Sequence, residues 1–354
     1  MRVYGVVMAG GGGTRFWPLS RVKKPKQLLN LSGKEVMINE AIDRLAGVVA
    51  YKDIFVVTNK EQYQKVVTVT DGRIEKGHIL SEPASRNTSA CIGYAAMEII
   101  KKYGDGVMVI TPSDAFIRDN IEFASVLSKA VEVAGETDKL VTIGIKPTFP
   151  ATGYGYINFE KSDKSYNKVI RFVEKPNADK AKEYYKCGAY LWNSGMFIWK
   201  ASVILEKFKK YLPEIYKHLQ DIGSAMGTSR ESKVIAKVYP IMDNVSIEYG
   251  IMEKSDDIVV VSGDFGWNDV GCWDMLGVLK STDSLGNTVV GNVLNVDTKN
   301  CILYSSGKLI ATVGIDNLIV VETDDAIMIC PKNKSQDVKK IVEELKAEHK
   351  EELL

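Results

Sequence analysis

Continuous apolar runs of strand length recur through the first 145 residues. They cover Val3–Met8, Ile54–Thr58, Val107–Thr111 and Val141–Ile145. Such runs are typical of strands that are covered on both faces. Amphipathic segments lie between them, and one is a predicted helix with caps at Asn87–Ser89 and an end at Gly104. The alternation of strand and helix predicts an α/β fold with a largely parallel sheet.

The pattern becomes mixed after residue 150. Further strands are predicted at Tyr154–Phe159, Val169–Glu174, Met196–Trp199 and Ile258–Ser262. Charged helical segments such as Ala178–Tyr185 separate them. Together with the first half, these strands predict a Rossmann-like sheet that is mixed but mostly parallel.

The tail has a different character after the polar residues 281–284. From Asn292 to Pro331, short strands alternate with Gly, Asn and Asp without a helix between them. This spacing predicts a small β-rich unit, a candidate left-handed β-helix. Residues Glu343 to Leu354 complete a predicted terminal helix. Its apolar side carries Val338, Ile341, Val342 and Leu345. Two domains are therefore predicted, 1–280 and 281–354.

Charge and cysteine content exclude several classes of function. The 354 residues include 46 basic and 45 acidic side chains, a formal net charge of +1, so no bulk field attracts nucleic acid or an anionic membrane. The five cysteines are scattered without a CxxC pair, which argues against a disulfide framework or a zinc site. No leader pattern or apolar run of roughly 20 residues is present. These features predict a cytoplasmic protein without nucleic-acid or membrane partners.

Four glycines, Gly10–Gly13, follow the first predicted strand directly. Glycines at the carboxyl end of a strand let backbone amides approach an anion closely. The run is not a P-loop, because no GxxxxGK[ST] pattern is present. It is not a dinucleotide fingerprint either, because Arg15 and Phe16 stand where the last glycine would be. Pro18 also argues against a helix that begins at once.

A run of cations follows the glycines. It consists of Arg15, Arg21, Lys23, Lys24 and Lys26. A generic basic run is more often a solvated turn, but the adjoining glycines favour a phosphate site. Arg15 and Lys26 can meet one phosphate chain if the segment between them folds back. The residues predicted to anchor this loop in the core are Phe16, Trp17 and Leu19.

Two aspartates follow predicted strands that are far apart in the chain. Asp114 comes shortly after Val107–Thr111, and Asp269 follows Ile258–Ser262 within FGWNDVG. Mg²⁺ on a triphosphate keeps several waters and takes one or two protein carboxylates, so this pair suits that ion. Taken alone, each aspartate is more often a turn or cap residue.

Three segments of the second half combine glycines with aromatic and polar side chains. They are Thr152–Ile157, Phe172–Pro176 and Trp192–Met196. A hexose phosphate needs several hydroxyl partners and a cation for its phosphate, and these segments contain both. The first segment, taken alone, is explained equally well as a tight turn.

The motifs MAGGGGTRFWPLSR and PKQLL match the signature LAGGxGTR, WPLSR and PKQ of the sugar-1-phosphate nucleotidyltransferases, which this sequence resembles. WPLSR and PKQLL are most similar to members that transfer a guanylyl group to mannose 1-phosphate. Matched motifs run from residue 5 to residue 275 in family order. The resemblance implies GTP and mannose 1-phosphate as substrates, GDP-mannose and pyrophosphate as products, Mg²⁺ as cofactor, and a homodimer.

The resemblance also implies roles for single residues. Arg15 and Lys26 neutralise the triphosphate, Asp114 and Asp269 hold the metal, and Lys175 holds the sugar phosphate. The implied nucleotide-binding residues are Ala9, Gly10, Gly11, Gly13, Thr14, Gln27, Glu82, Asn87 and Ser113. The implied sugar-phosphate-binding residues are Gly153, Tyr154, Gly155, Glu174, Lys175, Asn193, Ser194 and Gly195. Asn87 is explained equally well as a helix cap.

The sequence departs from the family pattern at a few positions. Gly12 occupies a variable position, Phe16 replaces a leucine, Ala115 stands where histidine is common, and Glu248 replaces the aspartate of an SIDY element. No general base is required, because a sugar phosphate with a second pKa near 6 is largely anionic at neutral pH.

Alternatives remain for the function. One is transfer to another sugar 1-phosphate, such as a manno-heptose phosphate, because a single hydroxyl contact can change the preference. Another is a non-catalytic sensor of nucleotide sugars. No motif of the isomerase domain that is fused in some members is found, which predicts a short form.

Overall fold

The computed structural model describes all 354 residues, which form two compact units. The first, the sheet unit, contains residues 1–10, 41–113 and 117–267. The second, the coil unit, contains residues 11–40, 114–116 and 268–354. The coil unit therefore joins most of the glycine loop and its cations to the tail of the chain. The predicted division into domains at residue 280 stays a prediction.

One nine-stranded sheet forms the centre of the sheet unit. Its strands are β1 (Val3–Met8), β2 (Ile54–Asn59), β3 (Ile79–Glu82), β4 (Val107–Pro112), β5 (Leu140–Ile145), β6 (Tyr156–Glu160), β7 (Asn167–Val173), β8 (Tyr190–Lys200) and β9 (Ile258–Gly263). Their order is β3-β2-β1-β4-β8-β5-β9-β7-β6. Only β7 and β8 run against the direction of the others. The predicted α/β class with a mixed sheet is confirmed.

The register brings several carboxyl strand ends to one edge of this sheet. Met8 pairs with Pro112 across β1 and β4, and Asn59 pairs with Glu82 across β2 and β3. Because parallel strands end at the same edge, the residues that follow β1 and β4 lie on the side of the sheet where open α/β folds bind ligands.

Strand β8 is longer than the sequence predicts. The prediction covers only Met196–Trp199, whereas the strand begins at Tyr190. The first half of the strand was not predicted because it contains the polar Asn193 and Ser194 and because Gly195 has a positive φ. The register between β5 and β8 shifts between Asn193 and Phe197 of β8, which lie opposite Gly144 and Thr142, and such bulges redirect side chains near functional sites.

The chain also forms ten α-helices. The helices of the chain are α1 (Met37–Leu45), α2 (Tyr63–Val69), α3 (Asn87–Tyr103), α4 (Asn120–Glu136), α5 (Ala178–Cys187), α6 (Ala201–Tyr211), α7 (Pro213–Ala225), α8 (Glu231–Val238), α9 (Leu276–Leu279) and α10 (Val338–Ala347). Helix α3 is buried over much of its length and packs in the main core. Its predicted end at Gly104 is confirmed, where the backbone φ is +84°. None of the helices has the length and apolar character needed to span a membrane.

The tail forms stacked parallel coils in the coil unit. Its strands are β10 (Thr288–Val290), β11 (Val293–Val296), β12 (Ile302–Ser305), β13 (Ile310–Val313), β14 (Leu318–Glu322) and β15 (Ile327–Pro331). Strands β10, β12 and β14 pair in parallel, and β15 pairs antiparallel with β14 at the end of the same four-stranded sheet. Strands β11 and β13 pair in parallel in a separate two-stranded sheet. The predicted β-rich solenoid is confirmed, while its handedness stays a prediction.

The terminal helix has other limits than predicted. It covers Val338–Ala347, whereas the prediction continues it to Leu354. Of its predicted apolar side, Val338, Val342 and Leu345 are buried together, whereas Ile341 is exposed. The helix ends before His349, whose φ of +56° cannot continue a right-handed helix.

Candidate active site

The glycine loop folds back on Lys26, which is the condition under which Arg15 and Lys26 can meet one phosphate chain. Gly13 has a φ of +59°, and a Cβ atom there would lie 2.4 Å from the Lys26 Cβ. Ser20 Oγ donates a hydrogen bond to the Gly13 carbonyl at 2.8 Å, and Gln27 Nε2 donates to the Gly11 carbonyl at 2.9 Å. Only a glycine permits this approach.

The neighbouring glycines lie in open space. A Cβ at Gly11 would meet no heavy atom within 4 Å, and the nearest atom at Gly12 would be Thr14 Cγ2 at 3.9 Å. Protein packing therefore requires glycine at position 13 and not at 11 or 12.

Gly13→Ala is expected to lower the free energy of unfolding by about 2–4 kcal/mol, from left-handed strain plus overlap with Lys26. Gly12→Ala is the matched control and should change it by less than about 0.5 kcal/mol. Urea denaturation of the two variants and the wild type measures both values. Equal midpoints for Gly12→Ala and Gly13→Ala would contradict the close approach.

The structure separates Lys26 from the rest of the basic run. Lys23 and Lys24 are exposed, whereas the Lys26 side chain is only 5% exposed. Its ammonium donates to Asp114 Oδ2 at 2.9 Å and to the Asp269 carbonyl at 2.6 Å. The buried ammonium therefore contacts the carboxylate of one predicted metal ligand and the backbone of the other.

A short backbone bridge holds the two aspartates together. Phe116 N donates to the Asn268 carbonyl at 2.7 Å, and Asn268 N donates to the Phe116 carbonyl at 2.9 Å. Asp114 comes before Phe116 and Asp269 comes after Asn268. Because the two segments run in opposite directions, both aspartates lie on the same side of the bridge. The bridge thereby brings two residues that are far apart in the chain close together, while their role as metal ligands stays a prediction.

The donor set fits a hard divalent cation. No group of three or more His, Cys, Asp or Glu side chains capable of holding a metal is found. Two carboxylates are enough for Mg²⁺, which retains waters and takes further oxygens from substrate phosphates. The Lys26 ammonium between these residues also indicates that the position accommodates positive charge.

Arg15 has a partner that the sequence did not predict. Its side chain is exposed, and NH1 donates to Gln336 Oε1 at 3.0 Å. A Cβ at Gly271 would lie 3.3 Å from Arg15 NH1 and 3.1 Å from Asp269 Oδ2. Arg15 therefore extends toward the Asp269 loop. Gln336 stands in the tail without a recognisable motif, so no pattern in the sequence marked it.

In the sheet unit, the start of the glycine loop lies against a buried carboxylate. A Cβ at Gly10 would lie 2.8 Å from Glu82 Oε2. The Tyr239 hydroxyl donates to Glu82 Oε1. Burial raises the pKa of Glu82 to about 7, although the Tyr239 hydrogen bond opposes this change. Tyr239 was not predicted, because the segment around it resembles an ordinary amphipathic helix end.

Glu82→Gln is expected to stabilise the protein above pH 7. Because the folded state raises the pKa of Glu82, the unfolded state binds fewer protons between pH 4.5 and 7, and wild-type stability falls with rising pH in that window. The variant should gain about 1–3 kcal/mol at pH 8 and much less at pH 5. Urea unfolding at both pH values measures this, with the exposed Glu75→Gln as control. A gain independent of pH would contradict the assignment.

Other predicted nucleotide residues surround the same strand ends. Thr58 Oγ1 donates to the Ala9 carbonyl at 3.1 Å, and Ser113 N donates to the Met8 carbonyl at 3.0 Å. Both contacts hold the backbone that follows β1.

Asn87 does more than begin α3. Its φ is +63°, and its Oδ1 accepts from Thr88 N at 2.9 Å. Thr88 Oγ1 accepts from Ile247 N at 2.9 Å, which connects this helix start to the segment that carries Glu248.

Strained backbone coincides with predicted site residues. Seven non-glycine residues have a positive φ, and three of them lie at or beside predicted site residues: Asn87, Lys175 and Val270, with φ values of +63°, +43° and +45°. The other four, Asp297, Asn300, Asn317 and His349, lie in the tail. For a β-branched residue such as Val270, which follows Asp269, this conformation is a true outlier. Strain of this kind clusters at ligand sites, and at Val270 it supports a functional role for the segment that carries Asp269.

The predicted sugar segments converge in the sheet unit. A Cβ at Gly155 would lie 2.5 Å from Glu174 Oε2 and 3.2 Å from the Asn193 Cβ. Lys175 Nζ lies 2.7 Å from Glu174 Oε1, and the Lys175 side chain is 59% exposed. Burial lowers the pKa of Lys175, but the adjoining Glu174 outweighs it and the net change is upward. Lys175 therefore stays protonated and able to bind an anion.

Glu248 adds a second carboxylate near Glu174. Its pKa is raised, first by burial and then by the charge of Glu174. The sequence left its contact open, and the structure brings it into the electrostatic neighbourhood of both Glu174 and Lys175.

The remaining sugar-segment residues have different environments. Tyr154 packs against Trp192 and Trp267, with ring centroids 5.0 and 5.2 Å apart. Ser194 is buried, and its hydroxyl donates to the Ile143 carbonyl at 2.8 Å. Asn193 Oδ1 accepts from Gly195 N at 3.1 Å. Gly153 and Gly195 are open, since a Cβ at either would meet nothing within 4 Å.

The loop side chains Phe16 and Trp17 are buried together with Trp273. Trp17 Nε1 also donates to the Leu353 carbonyl at 2.8 Å. These contacts confirm that the two aromatic residues anchor the loop. Thr14, by contrast, is exposed at the tip.

Comparison with known proteins shows two family matches. Residues 4–283 match the nucleotidyl transferase family, and residues 291–345 match the MannoseP isomerase/GMP-like beta-helix domain. The second match covers the stacked coils.

Named relatives match over nearly the whole chain. The xanthan biosynthesis protein XanB of Xanthomonas campestris is 39% identical over 345 residues, 97% of this chain and 73% of that protein. A mannose-1-phosphate guanylyltransferase of Escherichia coli is 39% identical over 362 residues, 99% of this chain and 75% of that protein.

A solved structure has the same fold throughout. The Thermus thermophilus protein described as a mannose-1-phosphate geranyltransferase superposes with a TM-score of 0.89 at 31% identity, over 98% of this chain and 100% of that one. The family match covers well over half of the residues, and its members act on a nucleoside triphosphate and a sugar 1-phosphate and generally use a divalent metal. This chain belongs to the nucleotidyl transferase family.

Proposed function

We propose that the protein transfers GMP from GTP to α-D-mannose 1-phosphate and forms GDP-mannose and pyrophosphate with Mg²⁺. The observation that carries the proposal is the grouping of Lys26, Asp114 and Asp269, with Arg15 extending toward the same loop. The choice of GTP and mannose 1-phosphate rests on the names of the relatives.

The grouped charges suit transfer to the α-phosphorus of a nucleoside triphosphate. Such reactions need position and charge neutralisation more than covalent chemistry from the protein. Lys26 donates toward the phosphates from a buried position, where a charge acts more strongly than in water. Arg15 supplies a planar guanidinium that can contact two phosphate oxygens at once. The exposed backbone of Gly11 and Gly12 leaves room for a phosphate chain.

Asp114 and Asp269 are the proposed metal ligands. Mg²⁺ bound there supplies charge neutralisation on the triphosphate. Ala115 stands where histidine is common in the family, so no histidine at this position can assist the reaction. The attacking sugar phosphate is, however, already anionic near neutral pH. A general base is therefore unnecessary, in agreement with the absence of a histidine from the predicted site.

On the sugar side, Lys175 is proposed to hold the phosphate of mannose 1-phosphate. Glu174 is proposed to accept hydrogen bonds from sugar hydroxyls, and Asn193 is proposed to bind a hydroxyl through its amide NH₂ group, because its Oδ1 already accepts two hydrogen bonds. Gly155 supports this, since a side chain there would overlap Glu174. Glu82, next to Gly10, is the proposed contact to the base or ribose.

Pyrophosphate release on mixing the purified protein with GTP, Mg²⁺ and mannose 1-phosphate tests the proposal. ATP, UTP and dTTP replace GTP in parallel reactions, and glucose 1-phosphate and a manno-heptose 1-phosphate replace the sugar. Preference for GTP with mannose 1-phosphate supports the proposal. Faster release with another pair would reassign the substrate, and nucleotide-sugar binding without any release would favour the sensor.

The homodimer and the cytoplasmic location stay predictions. Light scattering on the purified protein measures its mass in solution and tests the first.

A further inference from the structure

A chain of hydrogen bonds connects Arg15 to the tail of the coil unit. Arg15 NH1 donates to Gln336 Oε1 at 3.0 Å, and Gln336 Nε2 donates to Cys272 Sγ at 2.8 Å. The Cys272 thiol donates to Asp274 Oδ1 at 2.7 Å, and Ser335 Oγ donates to the same oxygen at 2.9 Å. Both ends of the Gln336 amide are therefore occupied.

The direction of every bond in this chain is fixed chemically. A guanidinium only donates, so the oxygen of Gln336 must face Arg15 and its nitrogen must face Cys272. Burial first, and then the hydrogen bond to Asp274, raise the pKa of Cys272 to about 12, which keeps the thiol protonated. The thiol can then donate to Asp274 and accept from Gln336, and a reversed amide would break the chain at both ends.

Arg15 needs such support. Its side chain is exposed, and an arginine of this kind loses much rotamer entropy when it is held in one position. Cys272 is buried shortly after Asp269. Gln336 therefore connects the exposed cation to the rigid loop of the proposed metal ligand.

We propose that Gln336 is a positioning residue that holds the Arg15 guanidinium for the nucleoside triphosphate. The inference rests on the proposed function, in which Arg15 meets the phosphates. It gives the β-rich tail a part in the reaction, because Gln336 belongs to the segment between β15 and α10.

A double-mutant cycle tests this role. The proteins are wild type, Gln336→Met, Arg15→Ala and the double variant, with Lys334→Ala as a control on the same segment that lacks the contact to Arg15. Gln336→Met should lower kcat/KM for GTP by about tenfold, leave the KM for mannose 1-phosphate unchanged, and shift the Tm by less than about 2 °C. In the Arg15→Ala background, Gln336→Met should lower kcat/KM for GTP by less than about twofold.

Two results would overturn the proposal. One is an equal loss from Gln336→Met with and without Arg15, which would indicate an unrelated structural effect. The other is an unchanged kcat/KM for GTP. If Gln336→Met does not fold, Cys272→Ala removes the other support of the amide and should lower kcat/KM for GTP in the same Arg15-dependent way.

The proposed substrate and the role of Gln336 can fail separately. Absence of turnover with mannose 1-phosphate in the wild type counts against the proposed function. Calorimetric titration of GTP into the same four proteins still measures the coupling between Gln336 and Arg15. A wild-type protein that binds no GTP would overturn both proposals.

Discussion

Replacing Lys26 by methionine is expected to lower kcat by about 10²–10³-fold, the loss typical for a preorganised donor to developing charge. The side chain is 5% exposed and its ammonium has two partners in the loops of the aspartates. Methionine keeps the stem volume but removes the charge. Initial rates of pyrophosphate release at saturating GTP measure the effect.

Measuring the Tm of this variant distinguishes a loss of activity from a loss of folding. The Asp114 side chain is 40% exposed, so water can solvate it once Lys26 is gone, and burying a methionine in place of an ion pair is often neutral or stabilising. We therefore expect a Tm equal to or above that of the wild type. Lys26→Arg should not restore the rate, because the larger planar group does not fit a point-charge position.

Lys23→Met is the matched control, since Lys23 is exposed in the same basic run. It should retain wild-type turnover. If Lys26→Met and Lys23→Met behave alike, the buried ammonium has no part in the reaction.

Asp269→Asn is expected to lower the rate by about 10²–10³-fold, because it removes charge from the proposed metal site, where a bound cation contributes several kcal/mol. The Mg²⁺ concentration for half-maximal rate should rise in parallel. Asn is isosteric with Asp, and the Asp269 contact to Lys26 uses the backbone carbonyl, so the fold should persist. Magnesium titrations of the initial rate measure both effects.

Asp264→Asn serves as the control, since Asp264 is exposed shortly after β9. Asp114→Asn should resemble Asp269→Asn in its magnesium dependence, although it also removes a partner of Lys26. An Asp269→Asn protein with the wild-type magnesium dependence would exclude Asp269 as a ligand.

The fold was largely predictable where local physics is strong. Runs such as Val3–Met8 are buried on both faces, so an apolar run of strand length is sufficient to identify them. The predictions failed where tertiary contacts set the limits. The first half of β8 carries the polar Asn193 and Ser194, whose partners lie in another strand. Helix α10 ends at Ala347 and does not reach Leu354, because His349 has a positive φ.

The candidate site was predictable as far as its residues carry motifs. Gly13, Lys26, Asp114 and Asp269 are marked by their spacing and context, and the structure brings the four into one unit. Gln336 and Tyr239 could not be found in this way. Each acts on a predicted residue through a single side-chain hydrogen bond, and one polar side chain leaves no periodic signal in the sequence.

The sequence by itself determined the α/β class, the position of the glycine loop and the aspartates predicted to hold a metal, because glycine freedom, charge and apolar periodicity are local properties. Tertiary structure alone decided which cation of the basic run is buried, that Glu82 is a carboxyl with a raised pKa, and that the tail contacts Arg15. These properties depend on desolvation and on contacts between residues that are distant in the chain, and neither is set until the chain has folded.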